Sequence, residues 1–153
     1  MRRLSGLLLT GAIMLLPAFS QGHGGVRAQS QALTFDGDTA IVTVAIKPDK
    51  TAEFEQIMND VRAALMKSEK PERKQQAAGW KVVKSGTPMK DGTIVYMHVI
   101  DPVVKGADYT ILAILYETTT DAAAQRAIFE KYRDAFAASL GGGAFTTVVD
   151  LSK

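Results

Sequence analysis

Residues 93–100, TIVYMHVI, decide the fold. β-branched and aromatic side chains run through them without a break, Lys90-Asp91-Gly92 before them forms a turn tip, and Asp101-Pro102 after them stops the run, so the stretch reads as a strand. Alternation divides it into Val95, Met97 and Val99 on one face and Ile94, Tyr96, His98 and Ile100 on the other. The purely apolar set is expected to face the helices. The mixed set then falls on an open sheet face, where Ile94 and Ile100 would be left in water, and an uncovered apolar face calls for a partner.

Working outward, Trp80–Ser85 (WKVVKS) is a second strand, joined to the first stretch by the turn GTPMKDG, residues 86–92. Thr39–Ile46 (TAIVTVAI) is the strand that opens the domain, with Val42, Val44 and Ile46 toward the helices and Ile41, Thr43 and Ala45 on the open side. Between them Thr51 is placed to cap a helix whose Phe54, Ile57, Met58, Val61 and Leu65 recur at three- and four-residue spacing. Residues 67–78 (KSEKPERKQQAA) interleave acids and bases as on a solvated helical face, with Pro71 suited to a first turn and Gly79 ending the piece.

Downstream, residues 108–117 (DYTILAILYE) fit a buried strand or a buried helix. Asp108 as a cap favours a short helix tucked under the domain. Thr118–Asp121 opens a further helix, AAAQRAIFEKYRDAFAASL, with Phe129, Tyr132, Phe136 and Leu140 as its buried stripe. Gly141-Gly142-Gly143 then reads as its stop, and residues 144–151 (AFTTVVDL) as the last strand. The resulting order β-α-β-β-α-β is the ferredoxin-like arrangement, an α+β fold with an antiparallel sheet and its helices on one face.

The N-terminus sets the compartment. Met1-Arg2-Arg3 is a basic start, Leu4 to Phe19 is apolar, and small or polar residues follow, the layout of a secretory signal peptide. Cleavage after Ala28, with Val26 at minus three, is favoured over cleavage after Ser20. The apolar run is shorter than the ~20 residues a spanning helix needs and carries Pro17, so no stable membrane anchor is expected. The expected organisation is a signal peptide over 1–28, a flexible lead-in over 29–38, one domain over 39–153, and a periplasmic or secreted location by the general secretory route.

Charge and composition exclude more than they propose. The 153 residues carry 18 Lys and Arg against 16 Asp and Glu, and no cysteine. Removing residues 1–28 takes away Arg2, Arg3 and Arg27 and leaves 15 basic against 16 acidic residues, a net charge of −1. Such a chain has no electrostatic reason to bind nucleic acid or anionic membranes. Without cysteine there are no disulfides, thiolate metal sites or thiol nucleophiles. Processing also removes His23 and leaves His98 as the sole imidazole, too few for a multi-histidine metal site. No cofactor or metal is expected.

The layout resembles the dimeric α+β barrel group, in which two such sheets pack face to face around a cavity. The opening KPDKTAEFEQIM (47–58) is similar to the start of many members, and RKQQAAGWKVVKS, DPVVKGADYTI and EKYRDAF look like stretches of a bacterial family of exported, uncharacterised proteins. The resemblance implies a homodimer with an inter-sheet cavity. Haem-degrading members use Asn, Trp and His together; here His98 lies on a strand where that pattern expects a helix, and the first strand has no Asn, so no catalytic role is carried over.

Two functional classes remain. In the favoured one, a non-enzymatic homodimer holds a small apolar or aromatic ligand with His98, Tyr96, Trp80 and Thr43, an aromatic lining with a few polar groups of the kind ligand sites use. In the alternative, a cofactor-free monooxygenase or isomerase uses His98 and Tyr96 to handle protons in the cavity. A structural reading stands beside both, with the imidazole and phenol simply hydrogen-bonded at a dimer interface. Asp101, Asp108 and Glu117 have structural explanations as turn and cap residues, and the glycine run follows a helix where a phosphate-binding loop would precede one.

Overall fold

The computed structural model describes residues 31–151. Strand β1 (Thr39–Ile46) passes through a 3₁₀ turn (Pro48–Lys50) into helices α1 (Thr51–Lys67) and α2 (Pro71–Gly79). The hairpin β2 (Trp80–Lys84) and β3 (Ile94–Ile100) follows, then α3 (Ile111–Thr118), α4 (Ala122–Ala135) and β4 (Phe136–Phe145). The sheet order is β2-β3-β1-β4, every neighbouring pair antiparallel. This is an α+β fold with a four-stranded antiparallel sheet and four helices. Among the described residues no helix is long and apolar enough to cross a membrane. The signal peptide read over residues 1–28 lies outside the described residues.

The helical face of α1 buries Phe54, Ile57, Val61 and Leu65 at the expected spacing. Thr51 is not its cap: the chain enters through the 3₁₀ turn and Lys50 takes the cap position with no side-chain bond. The ambiguous stretch after Asp108 is helical from Ile111, and its capping position belongs to Thr110. Asp108 works one step earlier, its Oδ1 accepting from the Thr110 N–H at 2.8 Å and the Leu33 N–H at 3.0 Å.

The faces of β3 are the reverse of the expectation. His98 stands opposite Val42, Tyr96 opposite Val44 and Ile100 opposite Ala40, and directly opposed residues of an antiparallel pair share a face. Tyr96 and Ile100 therefore sit in the helix-side core with Val44, Ile46 and Phe54 or with Ala40 and Tyr109. The open face takes Val95, Met97 and Val99 with Ile41, Thr43 and Ala45. The reversal is supported by hydrogen bonds that form only on this side: Tyr96 Oη donates to Glu55 Oε1 at 2.6 Å and Trp80 Nε1 donates to His98 Nδ1 at 3.2 Å. A satisfied polar side chain is no bar to burial.

The end of the chain also differs. Helix α4 stops at Ala135, and the segment expected to continue it is β4, so Phe136 and Leu140 are strand residues and Phe129 is 42% exposed. The reason lies in β1, a buried strand whose second edge needs hydrogen-bond partners; β4 supplies them from Phe136 to Phe145. The glycines belong to that pairing. A Cβ on Gly142 would lie 2.5 Å from the Ile41 carbonyl oxygen, and Gly141 takes a positive φ of 93° at the register shift between Thr43 and Val44. Gly142 is where β4 runs tightly beside β1, and the last strand is 136–145 in place of 144–151.

Two further segments position the site. Arg73, expected on a solvated face, is buried; its guanidinium donates to Gln76 Oε1 at 2.7 Å, the Asp108 carbonyl at 2.6 Å and Glu117 Oε1 at 2.6 Å. Gln76 Nε2 donates to the same carbonyl at 3.1 Å. Residues in the stretch expected to lead flexibly into the domain are pinned beside it: the Leu33 carbonyl accepts from the Tyr109 N–H at 2.8 Å, and Phe35 is buried against Tyr109.

Candidate functional site

A cavity of about 230 Å³ lies between the helix-covered face of the sheet and the segment Tyr109–Leu112. Val42, Val44, His98 and Ile100 form its floor, Trp80 and Tyr132 stand in its walls, and Gln31 and Leu33 border it from the N-terminal segment. No charged residue lines it. The clamp of Arg73 and Gln76 on the Asp108 carbonyl holds the segment that closes one side.

His98 is the polar centre of this space. Its Nδ1 accepts the Trp80 indole N–H, so the ring proton sits on Nε2. That N–H has no partner among the described residues, and no fully enclosed side-chain nitrogen or oxygen among them lacks one, so Nε2 opens onto free volume. Burial drives the imidazole pKa down to about 4. At neutral pH His98 is an uncharged donor with its orientation set by Trp80 at 3.2 Å and by the edge of Phe54 at a ring separation of 6.1 Å. Tyr132 supplies a second polar group from α4. Burial pushes its pKa up to about 12, which keeps the hydroxyl protonated, and no described residue hydrogen-bonds it.

Of the four residues expected to form a site, the structure brings His98 and Trp80 together at this cavity. Tyr96 lies on the same face, but its hydroxyl turns to Glu55 and its side chain lines a separate, wider groove of 480 Å³ between α1 and β2, along with Lys84 and Val82. Lys84 Nζ reaches the same Glu55 oxygen at 2.9 Å. The Tyr96 hydroxyl and Lys84 hold the Glu55 carboxyl below its ordinary range, while desolvation raises the Tyr96 phenol. Thr43 is on the opposite face, paired with Met97, and takes no part in either space.

Tyr132 was read only as one member of a helical stripe. The signal that singles it out is chemical: a tyrosine in an apolar stripe carries a hydroxyl that must end at a partner, at solvent or at a cavity. No group of acidic or histidine side chains able to hold a metal ion occurs among the described residues. No protein-family model matches this chain, and comparison with characterised proteins and with solved structures finds no significant match for it.

Proposed function

We propose that this is an exported binding protein that holds a small, uncharged, largely aromatic ligand in the helix-side cavity, with the ligand's hydrogen-bond acceptor on His98 Nε2–H. The observation that carries the reading is that His98, whose Nε2–H has no partner among the described residues, borders an aromatic-lined space. Its size suits one or two rings, since drug-sized ligands occupy pockets from about 300 Å³ upward. An anion would meet no countercharge there and would lose its hydration, so the ligand is neutral. A carbonyl or ether oxygen answers Nε2–H, and the Tyr132 hydroxyl can serve either a donor or an acceptor on the ligand.

The element order, with the sheet order β2-β3-β1-β4, supports the ferredoxin-like reading, and the open sheet face supports a homodimer. Ile41, Val83, Val95, Met97, Val99 and Phe145 share that face, with Met97 40% and Phe145 53% exposed. A second copy packed sheet to sheet would cover it, as in the dimeric α+β barrel group. The ligand then sits under the helices of each copy, away from the inter-sheet contact.

Fluorescence of Trp80, the single tryptophan, tests the ligand. 1-Indanone, with a carbonyl acceptor, should bind and change the emission, indane should bind about tenfold more weakly, and indane-1-carboxylate should not bind. His98→Phe should remove the difference between the ketone and the hydrocarbon. Equal affinities of wild type for all three would refute the site. Sedimentation tests the assembly: a dimer at micromolar concentration that Met97→Glu converts to monomer is the expected result, and a monomeric wild type would overturn it.

A further inference from the structure

The helix-side cavity has one weakly held side. Among the residues that line it, only Gln31 and Leu33 are exposed, Leu33 at 41%; all the others are buried or half-buried. The way between cavity and solvent therefore runs past this pair. Both belong to residues 31–36, which form neither helix nor strand.

The other sides are built into the fold. Val42, Val44, His98 and Ile100 lie in paired strands, Tyr132 belongs to α4, and Trp80 donates to His98 Nδ1. Tyr109 is buried, and Arg73 and Gln76 both donate to the carbonyl of the residue before it. Opening the cavity on any of these sides means breaking sheet, helix or core. The exposed side is held through Leu33. Its N–H is shared between Asp108 Oδ1 and Thr110 Oγ1, each at 3.0 Å, and its carbonyl accepts from the Tyr109 N–H at 2.8 Å. Gln31, Ala32 and Thr34 make no hydrogen bond to another described residue. The next tie along the chain is Phe35, buried with its ring 5.5 Å from that of Tyr109, and beyond it the Asp38 N–H donates to the Phe145 carbonyl at 2.8 Å.

We infer that residues 31–34 are a flap hinged at Phe35: freeing Leu33 from Asp108, Tyr109 and Thr110 opens the cavity, and the ligand enters and leaves through that opening. The inference rests on the ligand reading above and adds what regulates the site. Segments held by a few exposed hydrogen bonds open at far lower cost than the whole fold, and mobile covers of binding sites are drawn from them. With the flap raised, His98, Trp80 and Tyr132 keep their places on the sheet and α4. The flap therefore sets the rates of exchange, which scale with the fraction of time it stands open.

Two measurements on the full-length chain test this. The first needs no ligand: in amide hydrogen exchange followed by NMR, the Leu33 amide should exchange at least about tenfold faster than those of Val42 and Val44 in β1, which open only with the sheet. The second is stopped-flow mixing with 1-indanone, read by Trp80 emission. Leu33→Pro removes the N–H that Asp108 and Thr110 share, so association and dissociation should both quicken about fivefold, the worth of one such hydrogen bond. Gln31→Phe places a larger side chain at an exposed position of the mouth and should slow both. Loss of a mere wall contact would quicken dissociation alone, so the association rate is the deciding readout. An unaltered association rate in Leu33→Pro, or in Gln31→Phe where circular dichroism shows Leu33→Pro to be misfolded, overturns the flap. A Leu33 amide that exchanges as slowly as those of Val42 and Val44 overturns it as well. Failure of wild type to bind 1-indanone at all would instead refute the ligand reading and the passage with it, while exchange at Leu33 reports the opening separately.

Discussion

Acidification provides a strong test of the cavity. His98 titrates at about 4 in the folded chain, against an ordinary imidazole value of 6.5, because burial penalises its charged form. Above pH 6.5 neither state binds the proton and the group costs nothing. Between pH 6.5 and 4 the unfolded chain takes up a proton that the folded chain refuses, so stability falls as pH falls. At about 1.4 kcal/mol per pH unit the loss comes to about 3 kcal/mol, complete once pH has dropped through the folded value. The assay is urea denaturation from pH 7.5 to 4, monitored by circular dichroism, on wild type and His98→Gln. Whatever else titrates over that range does so in both proteins, so the difference between the two curves isolates His98. That difference should be flat above pH 6.5 and shrink by about 3 kcal/mol toward pH 4. A constant difference across the range would refute the buried, neutral imidazole, as would an NMR titration of His98 near 6.5. The same NMR sample reports the tautomer, and a proton on Nδ1 in place of Nε2 would remove the donor from the cavity.

Other perturbations follow from the same geometry. Trp80→Phe removes the donor to His98 Nδ1 and should cost about 1–3 kcal/mol in urea denaturation followed by circular dichroism, through an orphaned buried acceptor. Arg73→Met strips partners from Glu117, Gln76 and the Asp108 carbonyl; loss of about 3 kcal/mol is expected, with weakened ligand binding because the Tyr109–Leu112 wall is no longer held. Glu117 owes its lowered pKa first to Arg73, so the deficit of this variant should narrow as pH falls through the carboxylate range. Gly142→Ala places a methyl group against the Ile41 carbonyl and should lower stability by about 1–3 kcal/mol, while Gly86→Ala, with nothing within 4 Å, should stay within about 0.5 kcal/mol.

Much of the architecture was legible because periodicity and turn chemistry agree along most of the chain. The strands at 39–46, 80–84 and 94–100 and the helix from Pro71 stand where their punctuation put them. Two failures share a cause: pairing across the sheet is information that no local window contains. Whether Tyr96 and His98 face the helices depends on Glu55 and Trp80, which are distant in sequence and close in space. Phe136-Ala-Ala-Ser-Leu140 continues the helical stripe of α4 in pattern, and only the demand of β1 for a second neighbour turns it into a strand. The candidate site was half legible for the same reason. His98 and Trp80 stood out as rare residues, Tyr132 was hidden among core positions, and Thr43 was drawn in by a face assignment that the register reverses.

Helix α4 passes into β4 with no connecting loop, Ala135 being helical and Phe136 already paired with Ile46. The junction is tied again where the Lys47 N–H donates to the Ala135 carbonyl at 3.0 Å and Lys47 Nζ to the Asp134 carbonyl at 2.8 Å. Tyr132 sits one helical turn before that junction, with its ring 4.7 Å from Phe136. A wall anchored this way has no hinge with which to adapt. If the cavity holds a guest as proposed, the Tyr132 side loses little ordering entropy on binding and should select guest size more sharply than the side formed by the irregular segments at Gln31, Leu33, Tyr109 and Thr110.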